Sequence, residues 1–152
     1  MRKLSMAELG RKSVEEFKAS EKTPIILVLE NIRSAYNVGS VFRTSDAFLV
    51  QAIYIIGYSA KPPHKEIKKT ALGAEETVEW KYFKTTAEAI VELRETGFNV
   101  YAAEQAEGSY KLNAIGFDPE EKIAVVFGNE VTGVEQTTIA LCDGCLEIPQ
   151  LG

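Results

Sequence analysis

Residues 25–48 run I-I-L-V-L-E-N-I-R-S-A-Y-N-V-G-S-V-F-R-T-S-D-A-F, and the fold depends on how they are read. The first five are an unbroken run of Ile, Leu and Val, the pattern of a strand covered on both faces, as in a parallel sheet. The run stops at polar Glu30 and Asn31. From Val38 onward, Val38, Val41, Phe42, Ser45 and Phe48 recur at helical spacing. Asn37-Val38-Gly39 is expected to be the turn between strand and helix, with Gly39 free to take positive φ. Arg43 lies four residues past Gly39, on the same side of the predicted helix. Free backbone N–H groups, an amide and a guanidinium around one small volume suit a phosphate or a polar sugar. A plain helix start with a solvated arginine fits the same residues.

Working outward, 152 residues with 45% hydrophobic and 26% charged side chains can bury a sizeable core in one domain. No apolar run approaches the roughly 20 residues of a membrane span. The basic start Met1-Arg2-Lys3-Leu4-Ser5 is not followed by the apolar stretch of a signal peptide. A soluble, cytoplasmic protein is expected. The net charge of −5 argues against nucleic acid, but it is unevenly spread. Residues 1–70 carry 12 Lys+Arg and 7 Asp+Glu; residues 71–152 carry 5 and 15. Arg2, Lys3, Arg11 and Lys12 form one basic cluster. Lys61, Lys65, Lys68 and Lys69, beside His64, form another. Each is either a solvated face or part of a phosphate-backbone footprint around the 37–43 segment.

Upstream, Ser5-Met6-Ala7-Glu8 and Ser13-Val14-Glu15-Glu16 both match the S-x-x-E capping box, so residues 1–23 read as a short helical extension. Downstream, strands are expected at 52–56, 77–83, 99–103, 123–127 and 145–149. Helices are expected at 65–72, 86–96 and 135–141, with Gly73 and Gly97 as stops for the first two. Alternating strands and helices imply right-handed crossovers and a mainly parallel sheet with helices on both faces, an α/β fold over residues 24–152. Ligands of such sheets bind beyond the carboxyl ends of the strands. Three polar loops, at 31–43, 103–109 and 128–133, each follow a strand and should meet there.

Familiar motifs fail in detail. Gly128-Asn129-Glu130-Val131-Thr132-Gly133 has phosphate-loop spacing, but Val134-Glu135 replaces the Lys-Ser/Thr pair. There is no G-x-G-x-x-G. Cys142-Asp143-Gly144-Cys145 holds the only cysteines, and His64 is the only histidine, so a structural zinc site would lack ligands. The C-x-x-C enters a strand rather than opening a helix, which favours structural cysteines over a redox pair. One histidine without G-x-S-x-G leaves a hydrolase triad unsupported.

Asn37-x-Gly39-x-x-x-Arg43, Phe127-Gly128-Asn129-Glu130-x-x-Gly133 and Glu147-Ile148-Pro149-Gln150-Leu151-Gly152 resemble, in order and spacing, the three motifs of the SpoU (TrmH-type) RNA ribose 2′-O-methyltransferases of the SPOUT superfamily. The resemblance covers residues 24–152. In that family the third motif continues into an S-L-N-V-S-type segment and a final helix that complete a trefoil knot. This chain stops at Gly152, so the expectation is a SPOUT-type α/β fold without the knot-completing segment and with part of the methyl-donor pocket missing.

The resemblance implies methyl transfer from S-adenosylmethionine to a ribose 2′-hydroxyl of tRNA or rRNA, without a metal, by a homodimer. It makes Asn37, Arg43 and Glu130 the catalytic set. Arginine holds its proton too tightly to be a general base, so Arg43 is assigned to stabilising the developing alkoxide and fixing the adjacent phosphate. Asn37 would hold the ribose or Arg43, and Glu130 would orient either one. A carboxylate capping the following helix is the plainer reading of Glu130. The cofactor is expected against Ala103, Gly128, Ile148, Pro149, Gln150 and Leu151, with Gly128 allowing close backbone approach. RNA is expected on Arg11, Lys12, Arg33, Lys65, Lys68 and Lys69. Two other readings remain: an RNA-binding module of the same fold without catalysis, and a nucleotide-binding α/β protein unrelated to RNA.

Overall fold

The computed structural model describes residues 1–150. Seven parallel strands form one sheet in the order β3-β2-β1-β6-β4-β7-β5. They are β1 (Thr23–Glu30), β2 (Val50–Ile56), β3 (Trp80–Phe83), β4 (Asn99–Ala103), β5 (Tyr110–Lys111), β6 (Ile123–Phe127) and β7 (Gly144–Glu147). The chain lays β1, β2 and β3 outward in one direction. It then crosses to β4 on the far side and inserts β6 between β1 and β4. The direction of winding therefore reverses at β1 and β6, so the loops leaving these two strands lie side by side.

The helices are α1 (Val14–Ala19), α2 (Ala35–Ala47), α3 (Lys65–Ala71), α4 (Ala74–Thr77), α5 (Thr86–Glu95) and α6 (Gln136–Ile139). Period-two alternation in the strands sends side chains to two cores. On one face Leu29, Ile53 and Ile55 pack with Phe17 of α1, Val38 and Phe42 of α2 and Ile67 of α3. On the other, Val28, Tyr54, Val100 and Val126 pack with Ala89, Ile90 and Leu93 of α5. Val38, Phe42 and Leu93 are fully buried, each worth about 1.5–3 kcal/mol relative to exposure. Both capping boxes form: Ser5 opens a 3₁₀ turn at Met6–Leu9, and Ser13 opens α1. Among the described residues no helix is long and apolar enough to cross a membrane.

The parallel sheet and its two helical layers match the expectation from the sequence; local boundaries differ. Helix α2 begins at Ala35, capped by the Ser34 hydroxyl, which accepts from the Asn37 N–H at 3.3 Å. Asn37, Val38 and Gly39 therefore lie within the helix rather than in a turn before it. Gly39 is not at positive φ. A methyl group there would sit 2.1 Å from Thr70 Oγ1 and 2.4 Å from the Ile67 carbonyl oxygen, so glycine is required for the contact of α2 with α3. Thr77 closes a short helix, α4, and β3 begins at Trp80 rather than at residue 77. Leu72, at φ 54°, caps α3 one residue before Gly73. Strand β5 is too short to leave an apolar run in the sequence. Strand β7 ends at Glu147, so Ile148 and Pro149 lie beyond it. Helix α6 is shorter than residues 135–141, with Glu135 as its N-cap.

Candidate active site

The loops after β1 and β6 are joined by a polar network that starts at Glu130. Its carboxylate accepts the Arg33 N–H at 2.8 Å, the Ser34 N–H at 3.1 Å and the Asn37 side-chain amide at 2.8 Å. Partial burial works to raise this carboxyl. Backbone N–H groups of Arg33, Glu130 and Ser34 and the Asn37 amide outweigh it and hold the group down to about 2. Glu130 thus secures the start of α2, a helix that precedes it in sequence by some ninety residues. It does not cap the helix that follows it. A cleft of about 320 Å³ opens between Arg33, Ser34 and Glu130.

Asn129 supports this arrangement from below. It is 9% exposed; its amide donates to the Asn31 carbonyl at 2.9 Å and to the Tyr58 hydroxyl at 2.8 Å. Its Oδ1 accepts from the Val131 and Thr132 N–H groups. The loop folds back on itself through the paired backbones of Asn129 and Gly133. That closure explains Gly128, where a side chain would lie 2.2 Å from Gly133 C and Val134 N. The close backbone approach at Gly128 is made by its own loop.

Strand β4, next to β6, supplies the third loop. Glu104 accepts the Val134 N–H at 3.0 Å and the Gln105 N–H at 3.0 Å, tying the loop after Ala103 to the loop after Phe127. Between them lies a cavity of about 600 Å³ lined by residues 104–107 and 131–134 with Gln136 and Ile139. Ile148, Pro149 and Gln150 stand exposed at the same edge and do not line it. Leu151, the remaining cofactor candidate, lies outside the described residues.

Asn37 and Glu130 are therefore brought together; Arg43 is not joined to them. It is half-buried, about 9 Å further along the α2 axis than Asn37 at 1.5 Å per residue, and makes no hydrogen bond or ion pair among the described residues. The basic candidates also separate. Arg33 borders the Glu130 cleft. Lys69 Nζ lies 5.9 Å from the Tyr36 ring centroid, whereas Lys65 and Lys68 line a different cleft with Trp80. Arg11 and Lys12 border a shallow surface beside α1. Burial, then the neighbouring Cys145 and Asp143, push the Cys142 thiol up to about 12, far from the thiolate that redox or metal chemistry needs.

Sequence reasoning missed Glu30, Glu104, Asn129 and Tyr58 as members of this network. Glu30 is 1% exposed at the end of β1. It accepts the hydroxyls of Thr86 and Thr138 and, at 2.9 Å, the Glu135 N–H. A carboxylate directly after an apolar run was the available signal.

Known proteins are similar to this chain in sequence and fold. A Thermus thermophilus tRNA (guanosine(18)-2′-O)-methyltransferase is 30% identical over 145 residues, covering 95% of this chain and 73% of the relative. A Vibrio parahaemolyticus 23S rRNA (guanosine-2′-O-)-methyltransferase RlmB is 29% identical over 147 residues, covering 95% of this chain and 58% of the relative. The crystal structure of an AdoMet-bound rRNA methyltransferase from Sinorhizobium meliloti superposes with a TM-score of 0.78 at 23% identity. It covers 87% of this chain and 49% of that one, and it shares the fold. The family model described as SpoU rRNA methylase matches residues 24–152, which hold both joined loops and the switch between them, and the chain belongs to that family.

Proposed function

We propose that this chain transfers the methyl group of S-adenosylmethionine to a ribose 2′-hydroxyl of tRNA or rRNA. The observation that carries the reading is the 2.8 Å bond between Asn37 and Glu130, which locks the first motif to the second where the winding of the sheet reverses. Family membership and the named activities of the relatives support it. The cavity between residues 104–107 and 131–134 fits the donor: the Glu104 and Glu107 carboxylates complement its cationic groups, and Val131, Val134 and Ile139 offer apolar surface. When bound, the donor supplies an electrophilic methyl group on a positively charged sulfur.

The residues of the chain then position and stabilise. Glu130 keeps Asn37 and the Arg33–Ser34 backbone at the mouth of the cleft, where Asn37 binds the ribose. The Arg43 guanidinium, without a protein partner among the described residues, is left to the neighbouring phosphate and the oxyanion that develops as the hydroxyl attacks. Asn37 and Arg43 hold the ribose oxygen as it takes the methyl carbon; the carbon–sulfur electron pair would stay with the donor and the hydroxyl proton would pass to water. Arg33, Lys69, Arg11 and Lys12 serve the RNA backbone. Homodimerisation is part of the proposal, supported by Leu27, Tyr101, Val125 and Phe127, which share one sheet face and remain half-buried. So is residence in the cytoplasm, and so is the division into an extension at 1–23 and a methyltransferase domain at 24–152.

The test is labelled methyl transfer into bulk tRNA and rRNA followed by nucleoside analysis. Ribose-methylated nucleosides are expected, and Arg43→Ala should lose more than nine-tenths of turnover, at least about 1.4 kcal/mol at the transition state. RNA binding without transfer would instead favour the non-catalytic module.

A further inference from the structure

The cleft around Trp80 lies apart from the residues assigned above to methyl transfer. It encloses about 470 Å³ and is lined by Pro62, Pro63, His64, Lys65, Lys68, Glu75, Glu76 and Trp80. Trp80, the only tryptophan, is the first residue of the edge strand β3. It packs against the core that holds Phe42 and Ile67 while also lining the cleft. A flat ring is thus held in place by the core and left accessible at the sheet edge.

The polar rim is mixed. The Lys65 and Lys68 ammonium groups and the Glu76 carboxylate have no hydrogen bond or ion pair among the described residues. One Glu75 oxygen accepts the Gly73 N–H at 3.1 Å, leaving the other available. His64 Nδ1 accepts the Glu66 N–H at 3.2 Å, which places the remaining ring proton on Nε2 as a donor. A simple anion would meet two carboxylates here, and a simple cation two ammonium groups. The rim matches a ligand that carries an anion at one end, hydrogen-bond donors at the other and a planar body between them.

We infer that this cleft binds a single-stranded guanine nucleotide of the RNA substrate, its base stacked on Trp80, its donor edge on Glu76 and Glu75, and its phosphate on Lys65 and Lys68. Stacking on an exposed aromatic is how single-stranded bases are commonly held. Guanine is singled out because a carboxylate only accepts, and guanine alone presents two adjacent donors, N1–H and N2–H, on its pairing edge. The cleft is coupled to the proposed site by α3, which sends Lys65 and Lys68 into it and packs Ile67 and Thr70 against Gly39 of α2. The inference rests on the reading of RNA as substrate and adds a second contact that selects sequence.

Because Trp80 is the only tryptophan, its fluorescence reports occupancy directly. A short uridine oligomer with one central guanosine should quench it saturably and bind at least about tenfold more tightly than the all-uridine oligomer. Joint Lys65→Ala and Lys68→Ala should weaken binding and flatten the slope of log K against log salt by about 0.7, the contribution of the one single-strand phosphate they hold. Glu76→Gln should remove most of the guanosine preference. Equal binding of the two oligomers, or Trp80 emission unmoved by an RNA that the chain methylates, would overturn the inference and leave the proposed activity standing. Guanosine-selective quenching without methyl transfer to any RNA would support the cleft and remove the activity.

Discussion

Glu30 and Glu130 stand at the carboxyl edge of neighbouring parallel strands, and each accepts three hydrogen bonds. Their settings are opposite. Glu30 is 1% exposed, and its donors, two threonine hydroxyls and a backbone N–H, come from the starts of α5 and α6. Glu130 is exposed, and its donors come from the rim where α2 begins. The same number of bonds has different consequences, because a buried donor that loses its acceptor cannot turn to water and an exposed one can. Glu30 is fitted to hold two helices to the sheet, and Glu130 to aim a reactive loop at little energetic consequence.

Removing each carboxylate in turn is the sharpest way to break that comparison. Glu30→Ala leaves two hydroxyls and an N–H without their acceptor and should cost about 3 kcal/mol or more in urea unfolding. Glu130→Gln keeps the shape and should change stability by less than about 1 kcal/mol, as exposed charges usually do. Methyl transfer should nevertheless fall about a hundredfold through a misplaced Asn37. If Glu30→Ala is mild, or if Glu130→Gln costs as much stability as Glu30→Ala, the division of labour between the two is wrong.

A smaller effect tests the far side of the same loop. Gly39→Ala drives a methyl group against Thr70 Oγ1, whose hydroxyl already donates to the Tyr36 carbonyl at 2.9 Å. Separating α2 from α3 should cost about 1–3 kcal/mol, and Gly39→Ala with Thr70→Ala, which removes the clashing Oγ1, tests whether the threonine contributes. An unchanged unfolding midpoint in Gly39→Ala would mean the two helices are not so closely packed in solution.

These contacts also mark where the sequence stops being informative. The four longest strands, β1, β2, β4 and β6, were legible because unbroken apolar runs such as 25–29 and 123–127 have few alternatives to a doubly covered strand. The convergence of three loops followed from parallel topology alone. The insertion of β6 between β1 and β4 did not, since strand order is set by pairings remote in sequence. Gly39 carries no positive φ, contrary to its reading as a turn residue, and Gly128 makes a close backbone approach within its own loop. Each allows a close approach by another part of the chain, Thr70 in one case and Val134 in the other, and no local pattern announces that. Glu30 reads in the sequence as the polar end of a strand, whereas its burial depends on threonines 56 and 108 residues away. The Asn37–Glu130 pairing was legible only through the family resemblance. Ile148, Pro149 and Gln150, the described cofactor candidates after Glu147, neither line the cavity nor continue the strand.

The smallest expected effect concerns acid. The Glu130 carboxyl lies at about 2, against 4.5 for an unperturbed glutamate, so its folded value is depressed. Its contribution to stability is therefore fully present above pH 4.5 and is lost as the pH falls toward 2. Glu8, held at about 2 by Arg2 and Ser5, loses its contribution over the same interval, and Glu92, lowered by Lys81 and Tyr54, loses its own as the pH falls below 4.5. The total acid response cannot isolate Glu130, but the difference between wild type and Glu130→Gln can. That difference should shrink steadily between pH 5 and 2 and stay within about 1 kcal/mol, because the site faces water. The Asn37 side-chain amide, which donates to Glu130, should shift its NMR resonance over the same interval in the wild type. Superimposable stability curves together with a motionless Asn37 resonance would mean that the carboxylate does not hold the loop in solution. Asn37 would then be positioned by the Ser34 cap and the helix alone.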